Sequence, residues 1–488
     1  MHRPTLRRGP AAPTSSLLPS AVLTLCLLAA LAAIAAVGAA APAADGAPRA
    51  ARPAPSPTWH TLTADPGGKK MAAGTAVARD AQSGAVYVAG SGGSSLTQPA
   101  HIVLVKYNAA GAQQWALTFS GPGTRAGAVD VVVGRGGIYV LGWAASATRG
   151  RDWLVIGCSS AGHQLWQRVV SGAGRSNDMP HQLLAASSGR LWACGSLGRT
   201  GHGLDAALVA LSSANGRIVR RSYLDDGLHG ADVFNGIALA GSGRVVAAGQ
   251  FGRSRATGKN SVIAGYDAAG GRLWQRTWTG KGRSDDNATA VVATASGKAY
   301  VVGSYGDAAR AGSRAVIRQY GAAGRFVWQA TFSPISGPAG CGFSGAALLP
   351  AGKVAATGTV TDPKTGDADI VTVGFAAKGP SLWQRLYDTP HEKSGVSPDV
   401  PVAIAADGRG RILVAATMGF PREKGKRFGL LAYTAAGSPL WSGPAVWDAG
   451  ARDSRAASIV LAPGVAIVTG RALTSQGDTV AATIAVPY

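Results

Sequence analysis

One pattern recurs eight times along this chain, and its fullest copy, YDAAGGRLWQRTWTGKGRSDDNATAVVATASGKAYVVGS, runs from Tyr266 to Ser304. At its heart are an apolar strand ending in an aromatic residue, a short Ala/Gly turn, and a Trp at a fixed offset. The markers are Trp115, Trp166, Trp274, Trp328, Trp383 and Trp441, with Arg220 standing in the Trp position of NGRIVRRSY. Successive markers lie 51, 54, 54, 54, 55 and 58 residues apart. A period of about fifty residues, built of short alternating strands and glycine turns, specifies stacked β units.

Each unit divides into four strands. In the second copy these are AVDVVVG (128–134), IYVLGW (138–143), DWLVIGC (152–158) and HQLWQRVV (163–170). β-branched and aromatic runs cut by Gly, Asn and Asp are strand and hairpin signals. The first run is almost wholly apolar, so it is expected to be buried on both faces beside a central channel. The last is the most polar, as suits an edge strand facing solvent. Four-stranded sheets repeated about an axis make a β-propeller, an all-β fold. Trp59 in PTWHTLT resembles the Trp strand, and the C-terminal stretch stops where that strand is due. Pairing Trp59 with the segment 478–486 closes the ring at eight blades; seven follow if a terminal copy packs differently. A buried Trp removes roughly 150–250 Å² from water, on the order of 4 kcal/mol. One per blade is therefore read as cement between neighbouring sheets, and Arg220 as a junction that packs differently.

Residues 1–44 read as a secretory signal peptide: Arg3, Arg7 and Arg8, a long apolar stretch, then small residues. Left uncleaved, the stretch is a membrane anchor. A Pro/Ala/Arg-rich linker follows over 45–57, and the propeller spans 58–488. The chain is expected to be extracytoplasmic, secreted or held at the envelope, and monomeric. Past the leader it has three cysteines, Cys158, Cys194 and Cys341. That odd number excludes a complete disulfide framework and leaves either a Cys158–Cys194 bridge or buried thiols.

Net charge is +22, which attracts anionic polymers. The long, variable connections between second and third strands carry basic residues on one face. They supply the candidate binding set Arg149, Arg151, Arg253, Arg255, Lys259, Lys424, Lys426 and Arg427. The partner is expected to be a protein or an anionic envelope polymer; an exported chain without a nucleic-acid motif is not expected to bind nucleic acid.

Only two glutamates occur, Glu392 and Glu423, which argues against a Glu-pair glycosidase. No HExxH, GxSxG or P-loop is present, and no His/Cys spacing builds a metal site. His181 is read as a satisfied channel-lining residue. Asp178, Asp232 and Asp286 each start an inner strand, with Asp130 displaced by one step. A second series, Asp152, Asp205, Asp369 and Asp478, precedes third strands. Repetition at equivalent sites points to capping of backbone N–H groups rather than to Ca²⁺ binding. The best single cation loop is DPKTGDAD, with Asp362, Asp367 and Asp369. No catalytic residue, metal or cofactor is assigned.

HIVLVKYNAAGAQQW (101–115), NSVIAGYDAAGGRLW (260–274) and GKAYVVGS (297–304) resemble the repeats of bacterial SBBP-type β-propeller proteins. They are also similar to quinoprotein-like repeats. The first likeness implies an extracellular scaffold or binding surface; the second implies a quinone cofactor with Ca²⁺. The expected function is thus a non-enzymatic, exported binding propeller. Beside it stand a quinone-dependent oxidoreductase and an Asp-based polysaccharide hydrolase or lyase. The hydrolase predicts an acid pair that breaks the repeat at the channel mouth.

Overall fold

A computed structural model describes residues 51–488 apart from 147–149, 174–175, 229, 253–257, 281–284, 308–311, 333–339, 363, 390–397, 421–424 and 449–452. Within it, 32 strands form eight antiparallel four-stranded blades. Blades 1 to 7 span 71–119, 125–170, 179–224, 233–278, 287–332, 340–387 and 400–447. Blade 8 is composite. Asp453–Ala462, Val465–Leu473 and Thr479–Pro487 supply three strands, and the N-terminal strand Trp59–Thr63 pairs antiparallel with the last, setting Trp59 opposite Ala485. The ring closes as the sequence indicates, with eight blades. First strands of successive blades pack on one another right round the circle, blade 8 on blade 1 included.

The second and third strands, not the first, are the buried ones. Val86–Gly93 and Asn260–Tyr266 are buried along their whole lengths, whereas Arg125–Gly134 alternates with half-buried positions. The apolar run 128–134 misleads because neighbouring blades cover the middle strands on both faces, while the first strand turns one edge to the axis.

All eight first strands carry a β-bulge at the same place. The bulged residues are Thr75, Val129, His181, Asn235, Thr289, Ser344, Val402 and Ala457. A bulge bends its strand and drives a carbonyl toward the second strand. This accounts for the Gly in the recurring second-strand motif: a Cβ on Gly303 would lie 1.8 Å from the Asn287 carbonyl oxygen.

The repeated Trp residues form the blade seams, but they are half-buried rather than buried. Each indole N–H donates to a turn carbonyl of the next blade: Trp115 to Ser160, Trp166 to Ser213, Trp274 to Ala322, Trp328 to Ala377 and Trp383 to Ala435, at 2.9–3.3 Å. At the Arg220 junction Trp192, from the second strand of the same blade, moves in. A Cβ on the turn Gly270 would lie 3.0 Å from Arg220 Cδ and 3.4 Å from the Trp192 ring. Trp441 leaves the pattern too. It is 7% exposed and bridges Arg52, whose carbonyl accepts the Ser442 N–H at 2.7 Å.

Candidate functional site

Cys158, Cys194 and Cys341 are free and buried, which settles the choice in favour of thiols. Burial raises Cys158 to about 12 and Cys341 to about 11. None of the three is a ready nucleophile.

At the axis the bulged side chains tie blades together. Asn235 Nδ2 donates to the Ala288 carbonyl at 2.9 Å, and Thr289 Oγ1 donates to the Phe343 carbonyl at 2.6 Å. Asp130, one residue past its bulge, accepts the Leu183 N–H of the next blade and its neighbour Val131 N–H, both at 2.8 Å. Burial outweighs those bonds and lifts its carboxyl to about 6. His181, at the bulge of its strand, is half-buried in the same zone, and burial lowers its pKa.

On the face of the inter-blade loops, the aspartates act as clips. Asp178 accepts the N–H of Gly172 and of Gly198, at 2.6 and 2.8 Å, and its own N–H donates to the Arg151 carbonyl of the preceding blade. Asp286 does the same with Gly280, Gly306 and the Lys259 carbonyl. Asp399, absent from the sequence series, accepts from Thr389 and Gly419 and donates to Ala368. Each ties an incoming loop, its own second strand and the neighbouring blade. Capping is what the repetition indicates.

Asp232 departs from this rule. One oxygen accepts the Gly252 N–H at 2.8 Å, but its other oxygen is buried without a partner. Six residues earlier, where Asp178 and Asp286 have Gly172 and Gly280, stands Asp226, preceded by Asp225. Carboxylate oxygens of Asp225, Asp226 and Asp232 lie within 4.8 Å of one another, as do ligand atoms of His202, Asp205 and Asp225. Burial first, then the charges of Asp226, Asp225 and Asp205, push Asp232 up to about 7.

The second acidic series needs revision. Strand register places Asp152, Asp205 and Asp369 in one position, shared with His101, Asn260, Arg314 and Arg427. Asp478 lies instead in the turn before the last strand, where its carbonyl accepts the Thr474 N–H. Of the proposed cation loop, Asp367 and Asp369 gather with Asp388, not with Asp362.

Arg151, Lys259 and Lys426 start third strands on this same loop face. The Arg151 guanidinium lies 4.4 Å from the Trp143 ring centroid, and Arg427 lies 5.0 Å from that of Phe420 and 3.3 Å from Asp448. Arg149, Arg253, Arg255 and Lys424 lie outside the described residues. Sequence reading missed a crevice of about 370 Å³ between blades 4 and 5, lined by Trp278, Gly280, Tyr305, Arg314, Arg318 and Gln329. Trp278 is 7% exposed, and its indole N–H has no acceptor. Arg318 lies 4.8 Å from the Trp278 ring centroid, with its Nε also unsatisfied.

These features define an eight-bladed β-propeller with one structurally regular face and one chemically diverse face. No protein-family model matches the sequence, and no curated protein matches it. Similar solved structures include quinohemoprotein alcohol dehydrogenase from Comamonas testosteroni, at 12% identity and a TM-score of 0.46, covering 85% of this chain and 76% of that one. A europium-containing methanol dehydrogenase is 10% identical, with a TM-score of 0.45 and coverage of 88% and 93%. A protein of unknown function from Dyadobacter fermentans DSM 18053 is 10% identical, with a TM-score of 0.42 and coverage of 89% and 99%.

Proposed function

We propose that this protein is an exported recognition propeller that binds an anionic envelope polymer on its inter-blade loop face. The crevice between blades 4 and 5 is its anchoring subsite. The observation that carries this reading is the unsatisfied Trp278 indole N–H beside Arg314 and Arg318. A buried donor without an acceptor is costly, and two guanidiniums beside it match a phosphate or carboxylate group. Around the crevice, Arg151, Lys259, Lys426 and Arg427 supply a longer-range field whose reach is about 8 Å at physiological ionic strength.

Polyglycerol phosphate is the probe. Arg318→Gln should weaken binding roughly tenfold, the value of a charge-assisted bond, and binding should fall as salt rises. Reversing Lys259, Lys426 and Arg427 to Glu should weaken it as well. Reversing Arg190, Arg244 and Lys298, at the short turns between first and second strands on the opposite face, should not. Equal losses from both faces would mean a merely sticky surface and would end this reading. Export is checked separately: the secreted form should begin near Ala44 or Asp45.

A further inference from the structure

We propose that Asp225, Asp226 and Asp232, with Asp205 beside them, form a Ca²⁺ site at the junction of blades 3 and 4. This goes beyond the polymer-binding reading and does not rest on it. The first observation is geometric: oxygens of Asp225, Asp226 and Asp232 converge within 4.8 Å, and Asp225 also joins Asp205 and His202 at that range.

The second observation is independent of the clustering. Asp232 is 1% exposed and Asp205 fully buried, and each keeps one carboxylate oxygen with no hydrogen-bond donor. At the described sister junctions the equivalent acid is satisfied on both oxygens: Asp178 by Gly172 and Gly198, Asp286 by Gly280 and Gly306, Asp399 by Thr389 and Gly419. Six residues before the acid, where Gly172 and Gly280 donate at two of these junctions, this junction carries the carboxylate of Asp226. Arg199 pairs with the other oxygen of Asp205 at 2.7 Å, and His202 Nδ1 lies 2.9 Å from Asp225. Clustered oxygen ligands of this kind suit a hard divalent ion, and Ca²⁺ tolerates irregular oxygen geometry better than Mg²⁺ does. The blade 6 group, Asp367, Asp369 and Asp388, lacks an orphaned buried oxygen and carries no such assignment.

The test uses the full chain, stripped with EDTA and titrated with CaCl₂ by calorimetry and thermal melting. One ion should bind per chain, and millimolar Ca²⁺ should raise the melting temperature by about 3 °C or more. Asp232→Asn removes a ligand but also disturbs a clip. The decisive variant is therefore Asp226→Gly, which installs the sister residue. It should abolish the Ca²⁺ heat and the Ca²⁺-dependent shift, while melting in EDTA at or above the wild-type temperature. Asp286→Asn should leave one Ca²⁺ bound. Absence of Ca²⁺ heat in the wild type, or an unchanged Ca²⁺ shift in Asp226→Gly, overturns the assignment.

Discussion

The indole of Trp166 lies across Gly216 of the next blade, so closely that a Cβ at 216 would sit 2.4 Å from the ring. The same indole donates its N–H to the Ser213 carbonyl at 2.9 Å. Gly216 has a φ of 66°, a left-handed turn conformation. Gly216→Ala therefore meets two penalties, backbone strain and loss of the ring contact. We expect a loss of about 2 kcal/mol, read from urea midpoints. A loss under a few tenths would show that the ring contact contributes nothing.

The Arg220 junction offers the converse experiment. Arg220→Trp restores the repeat residue, yet Trp192 already occupies part of that space. Alone it should destabilise by about 1–2 kcal/mol through overpacking. Combined with Trp192→Tyr, the residue type at the equivalent positions Tyr87, Tyr139 and Tyr300, it should recover most of the loss. Additive losses in the double mutant would show that the two rings do not compete.

Ring closure is testable at Trp59. Its ring packs over Gly111 and lies 6.4 Å from Tyr107, yet it remains half-buried. Trp59→Ala should cost about 2–3 kcal/mol, below the range for a fully enclosed Trp. Deleting residues 51–63 should lower the melting temperature further by exposing the edge at 479–487. An unchanged melting temperature would sink the closure model.

Asp130 sets a pH dependence. Its folded value of about 6 lies above the unfolded value of about 3.9, so the folded state binds more protons between them. Stability should fall as pH rises through that window and level off above it. Asp130→Asn should remove this slope, gaining up to roughly 2 kcal/mol on the wild type between about pH 4 and pH 7. Parallel pH profiles for the two proteins would rule the effect out.

Much of the architecture is legible in the chain because Trp, turn Gly and second-strand Gly each answer a contact that recurs in most blades. Burial of the first strand was not legible. A run such as AVDVVVG reads the same whether its second face meets another sheet or an axial space. Asp399 escaped notice because Val396 and Pro398 separate it from the polar run of its loop, HEKSGVSPDV. The crevice was hidden for a different reason: Trp278 and Arg318 are brought together by two blades, and neither breaks a local pattern. Asp225 and Asp226 do break one, but only the fold brings Asp205 and Asp232 to them.

The composite blade has a mechanical consequence. Trp59 lies opposite Ala485 and Thr63 opposite Ala481, so the start of one strand neighbours the finish of the other. Tension applied between the two ends of this pair loads its hydrogen bonds one after another, from the Trp59 end inward. Such a clasp peels open at low force instead of resisting in shear. A propeller tethered through both ends would yield first at this seam, with the other seven blades still folded.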